Sequence, residues 1–138
     1  MTWICQQCNN SHLDDESVVC DICGSYRRSQ LHLRSSEADW HTRTDCIVSR
    51  AVYRKLYPGV EHQYIPHNEE NYPFSLCRDN NVWTLLVNIA STLAVKLNSE
   101  VCEIETAYPL RNGDVITLAS KANPAKEVAP LTIFLAPF

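Results

Sequence analysis

Glycine is nearly missing from this chain of 138 residues, with three present against seven prolines. So little glycine leaves no flexible, low-complexity linker between large domains. Long apolar runs are missing too: the best candidate, "VWTLLVNIASTLAVKL", is broken by Asn, Ser, Thr and Lys and is too polar to span a bilayer as a helix. A basic surplus is also lacking, since 12 Lys and Arg stand against 16 Asp and Glu, a net charge of −4. Phosphate contacts supply much of the affinity for nucleic acid, so this balance argues against a general RNA or DNA binder. The first residues hold no basic segment followed by an apolar one, and no secretory leader is expected. The remainder, 45% apolar and 20% charged, suits a soluble globular protein with one packed domain and a small appendage.

Cysteine, by contrast, is concentrated. Cys5 and Cys8 form one CxxC pair and Cys20 and Cys23 another, separated by eleven residues. Each pair turns two thiolates toward one point, and four sulfurs satisfy the tetrahedral preference of zinc. A zinc with four protein sulfurs has no open position for water, so the expected metal is a single structural Zn2+. A stretch this short cannot bury a core of its own, so the metal would drive its folding. A thioredoxin-type redox pair is the competing reading, but that motif sits in a βαβ context and none surrounds this one. The odd total of seven cysteines and the metal-type spacing favour a reducing compartment, the cytoplasm or alternatively a nucleus.

Trp3 stands two residues before Cys5. "WICQQC" followed by "CDIC" resembles the Ran-binding-protein type of zinc finger over residues 1–28, with a general zinc ribbon as the plainer version. The resemblance implies a ligand surface around Trp3 and Asn10, because members bind ubiquitin or single-stranded RNA there. Ubiquitin binders carry a Thr-Phe pair where this chain has Asn9 and Asn10. RNA binders carry arginines and an aromatic in the loop that here reads "NNSHLDDESVV". Three adjacent carboxylates, Asp14, Asp15 and Glu16, would repel phosphate.

From residue 29 onward the pattern becomes short apolar segments punctuated by turn residues. Candidate strands are "QLHLR", "CIVSRAVY", "YPFSLCR", "VWTLLVNI", "LAVKLN", "VCEIE", "DVITLA" and "LTIFLA". "RNGD" is a turn with a mechanism, since Asn-Gly readily takes positive φ. Eight strands in about 110 residues predict a mainly β fold, a sandwich or barrel. One stretch is ambiguous: Val82, Leu85, Leu86, Ile89 and Leu93 match helical spacing, while Trp83, Leu85, Val87 and Ile89 match strand alternation.

Taken as a strand, residues 29–138 resemble a forkhead-associated (FHA) domain, a phosphothreonine-reading β-sandwich. "QLHLR" would be the first strand, "PFSLCRDNNVWTL" the strand pair leading to the family's tryptophan, and "LTIFLA" the closing strand. "YPLRNGDVITLAS" would match the Leu-x-x-Gly-Asp-x-Ile-x-Leu-Gly phrase. The resemblance places Arg50 as the phosphate-binding arginine, with Ser91 and Thr92 in the motif that meets the peptide. Ser49 replaces the glycine before that arginine, and Leu93 and Ala94 replace an Asn-Gly, so the member is degenerate. A phosphate needs converging charge-assisted donors, and only Arg50 is assured.

Taken as a helix, the same stretch would make residues 80–120 an α+β β-grasp, ubiquitin-like fold, an accessory subunit or ubiquitin-pathway partner. Its terminus "LAPF" lacks the Gly-Gly tail of a conjugated carrier. No nucleophile signature surrounds Cys46, Cys77 or Cys102, and buried, inert thiols are expected, so no enzyme activity is predicted. "EHQYIPH" reads as a polar loop, and "YRKLY" as a surface segment. The expectation is a non-catalytic adaptor: a zinc finger at 1–28 and an FHA-like sandwich at 29–138 that bind a protein partner, phosphopeptide-dependent in the narrower form. An RNA-binding finger is the third reading.

Overall fold

The computed structural model describes residues 3–4, 11–12, 28–60, 62–66, 69–79 and 82–137. Near the start, two short antiparallel strands, β1 (Trp3–Ile4) and β2 (Ser11–His12), pair Trp3 with His12. Cys5, Cys8, Cys20 and Cys23, and with them the expected zinc site, lie outside the described residues, as does Asn10.

The rest is mainly β. A six-stranded sheet and a four-stranded sheet carry the fold, and every strand pairing within them is antiparallel. The larger sheet holds β3 (Arg28–Arg34), β4 (Asp39–Thr42), β8 (Leu93–Leu97), β9 (Glu100–Val101), β11 (Val115–Ser120) and β12 (Asn123–Pro137), in the order β4-β3-β12-β11-β8-β9. The smaller holds β5 (Cys46–Val48), β6 (Phe74–Asp79), β7 (Val82–Val87) and β10 (Ala107–Pro109), in the order β10-β7-β6-β5.

Alternation builds the core. Leu31 and Leu33 of β3, Ile116 and Leu118 of β11, and Leu131, Ile133 and Leu135 of β12 point inward from the larger sheet. Val48, Phe74, Leu76, Trp83, Leu85 and Val87 meet them from the smaller sheet in one buried cluster. Each such side chain contributes about 1.5–3 kcal/mol by leaving water.

The ambiguous stretch is a strand. Along β7, half-buried and buried residues alternate, with Trp83, Leu85 and Val87 inside, and the strand pairs with β6 from Phe74↔Val87 to Asp79↔Val82. That excludes the β-grasp alternative, whose helix would occupy this position. Helical and strand periods coincide over so short a run, and the neighbouring β6 decides between them.

"CIVSRAVY" is corrected. Only Cys46–Val48 is strand, and Arg50–Leu56 forms helix α1. Val52, Tyr53 and Leu56 lie on one helical face and are buried against the core. "YRKLY" therefore forms the end of that helix, with Tyr53 inside. Two further strands, β4 and β10, escape the sequence pattern because they are short and half exposed. "VCEIE" contributes only Val101 to β9, plus an isolated bridge from Ile104 to Val87.

Turn chemistry behaves as expected at "RNGD". Gly113 takes φ +88°, and the Asp114 carboxylate accepts from the Arg111 N–H at 2.8 Å. Between β8 and β9, Asn98 and Ser99 both take positive φ (51° and 70°), the geometry that matches a tight hairpin to strand twist. Among the described residues no helix is long and apolar enough to cross a membrane.

Candidate functional site

Strand register brings the long connections to one end of the sandwich. Val48, Phe74 and Val87 lie side by side across β5, β6 and β7, so the 49–73 and 88–92 connections leave from the same edge. Leu93, Ser120 and Asn123 are likewise aligned, which adds the β11–β12 turn.

Two asparagines lace the first two connections together. Asn71 Nδ2 donates to the Ala90 carbonyl at 2.8 Å. Asn88 Nδ2 donates to the carbonyls of Glu70 (2.8 Å) and Tyr72 (3.0 Å), and its backbone N–H donates to Pro73 at 3.1 Å. Sequence reasoning missed both residues; the signal was an Asn just past a strand (Asn88) and an Asn closing a short 3-10 turn (Asn71), a residue whose amide readily satisfies turn backbone.

Arg50 opens α1 at this end. Its Nε donates to the Ile65 carbonyl at 2.6 Å and its Nη2 to the Gln63 carbonyl at 3.1 Å. Both bonds hold its own connection in shape. Ser91 is 4% exposed; its hydroxyl donates to the Leu93 carbonyl at 2.8 Å and accepts from the Leu93 N–H at 3.2 Å. Thr92 is exposed. The fold thus brings Arg50, Ser91 and Thr92 to one end, while the hydrogen bonds of Arg50 and Ser91 go to backbone rather than to one another. Trp3 lies in β1.

"EHQYIPH" is not the polar loop expected. His62 is 3% exposed at φ 55° and sits among Tyr53, Tyr57 and Tyr64, with ring centroids 5.8–6.0 Å away. Its Nδ1 pairs with the Tyr64 hydroxyl at 3.2 Å and its Nε2 lies 3.3 Å from the Tyr57 carbonyl. Burial raises the pKa of all three tyrosines, most strongly for Tyr53, which is wholly enclosed. Tyr57 reaches back to donate to the Pro130 carbonyl. Close by, Tyr64, Leu93, Ser120, Asn123, Lys126 and Val128 line an apolar cavity of about 300 Å³.

The thiols are quiet. Burial raises the pKa of Cys46 and pushes that of Cys102 to about 11, so both stay protonated near neutral pH. His32 Nδ1 hydrogen-bonds the Asp39 carboxylate at 3.1 Å, and His62 bonds its tyrosine neighbours. Among the described residues no group of His, Cys, Asp or Glu is arranged to hold a metal.

Comparison with protein-family models, with curated proteins and with solved structures finds no match.

Proposed function

We propose that the protein is a non-catalytic recognition module: a four-cysteine zinc finger joined to an FHA-like sandwich that binds a protein partner. One observation carries the reading. The first and last strands of the sandwich, β3 and β12, are paired neighbours, and β6 and β7 form the hairpin that carries buried Trp83. The FHA resemblance reads "QLHLR" as the first strand, "LTIFLA" as the closing strand and "PFSLCRDNNVWTL" as a strand pair, and these pairings support that reading. A rigid sheet scaffold presenting laced loops at one end is a common platform for binding. The free thiols of Cys46, Cys77 and Cys102 support a reducing compartment, the cytoplasm or nucleus.

The Arg50 hydrogen bonds to Ile65 and Gln63 favour a partner recognised without phosphate, since a guanidinium held by carbonyls has fewer donors to turn toward an anion. Titration of phosphothreonine and unmodified peptides against the full chain and its Arg50→Ala variant tests this. Comparable affinity for both peptide forms is expected. Phosphopeptide binding at least about tenfold tighter, and lost in Arg50→Ala, would restore phosphothreonine reading.

A further inference from the structure

Residues 100–105, "EVCEIE", cross the open edge between the two sheets. On one side the Cys102 N–H donates to Val95 of β8 at 2.9 Å; on the other, Glu105 donates to Val87 of β7 at 3.4 Å. Behind this segment lies a cleft of about 300 Å³, with Val87, Val95 and Cys102 among its walls and Val101 and Ile104 at its rim. Its volume is at the small end for binding clefts and suits a single side chain rather than a large ligand.

The rim is apolar and uncovered. Val101 is 54% exposed and Ile104 42%, and Ile89, in the connection that lines the cleft through Ser91, is 66% exposed. Clustered apolar exposure of this kind marks a contact surface, whereas isolated exposed residues do not. Glu100, Glu103 and Glu105 are all exposed and interleave with Val101 and Ile104. Lys121 stands on the cleft wall. Cys102, its thiol pushed to about 11 by burial, adds no charge to the wall. β9 ends the larger sheet, so a chain laid along it could add backbone hydrogen bonds.

We infer that this cleft docks one aliphatic side chain of a partner's extended segment, flanked on that partner by lysine or arginine. The apolar walls select the side chain, and the three carboxylates complement the flanking bases. A second copy fits poorly, because apposing two such segments would set each carboxylate triplet against its equal. Nucleic acid is repelled for the same reason. The inference rests on the recognition reading above but uses a surface that does not include Arg50.

Selection of short randomised peptides displayed against the full chain tests it. Enrichment of Leu, Ile or Met flanked by Lys or Arg is expected. Affinity for those peptides should fall at least about tenfold in Ile104→Asp and in Glu103→Lys/Glu105→Lys, and should weaken with salt. The paired lysine variant alters only exposed side chains and decides the matter if Ile104→Asp fails to fold. Enriched peptides without that pattern, or insensitive to the variants but weakened by Thr92→Ala or Tyr64→Ala, would overturn the cleft and leave the recognition reading standing. Selection of no peptide would overturn both. A concentration-dependent dimer dissolved by Ile104→Asp would assign the cleft to a second copy and overturn the inference.

Discussion

The side-chain amide of Asn88 donates to the carbonyl of Glu70 at 2.8 Å, tying the end of β7 to a connection eighteen residues away in sequence. The same amide reaches Tyr72, and its oxygen accepts from the Ala90 N–H at 3.3 Å. Asn88→Ala removes all three bonds and leaves backbone groups unpaired in a half-buried turn. The expected loss is about 2–3 kcal/mol, read as a lower urea midpoint. Faster hydrogen exchange at the amides of 88–92 should accompany it.

Adjacent leucines on β7 should respond unequally to truncation. Leu85 is fully buried and Leu86 half exposed on the other face. Leu85→Ala should cost about 2–5 kcal/mol, whereas Leu86→Ala should cost under about 1 kcal/mol. Equal losses in chemical denaturation would contradict the strand register.

Lys96, 7% exposed on the outer side of β8, meets Glu127 at 2.8 Å and donates to the Pro124 carbonyl at 2.8 Å. The Lys96 hydrogen bond holds the Glu127 carboxyl below its ordinary value of 4.5. A depressed carboxyl contributes stability that is fully present above the unfolded value and lost as pH falls through the lower, folded one. Unfolding midpoints of the wild type and Glu127→Gln should therefore differ at pH 6 and converge in acid below 4.5. A gap that stays constant or widens in acid would refute the linkage.

For the N-terminal cysteines, metal analysis should find one zinc per chain, carried by Cys5, Cys8, Cys20 and Cys23. A strong chelator should release it with loss of structure in the first 28 residues alone, while the sandwich core keeps its unfolding midpoint. Cys20→Ser should abolish stoichiometric zinc. A metal-free chain with unchanged N-terminal amide spectra would contradict a structural role.

Much of the sandwich was legible from local pattern. "QLHLR" alternates cleanly because one face lies on the core, "DVITLA" is a short apolar run buried on both faces from Ile116 to Ala119, and Gly113 sits in the turn that Asn-Gly announces. Where the pattern misled, two periods overlapped. Val52, Tyr53 and Leu56 belong to a helix, although their segment begins as the strand Cys46–Val48. His62 reads as polar, yet three tyrosines enclose it. Of the residues singled out for ligand binding, Arg50 and Ser91 carry turn-holding hydrogen bonds that no residue type discloses in advance.

By itself, the sequence determined a mainly β chain with a metal-type cysteine cluster at its head. Alternating apolar residues and CxxC spacing are local properties, readable without knowing what lies across the fold. Only the tertiary structure decided that residues 82–87 extend rather than coil, because β6 and β10 supply their backbone partners. It alone decided where the surface is apolar. Val101 and Ile104 are exposed because their segment bridges the edge between two sheets, a position set by the local hairpin bond to Val95 on one side and by pairing with Val87, distant in sequence, on the other.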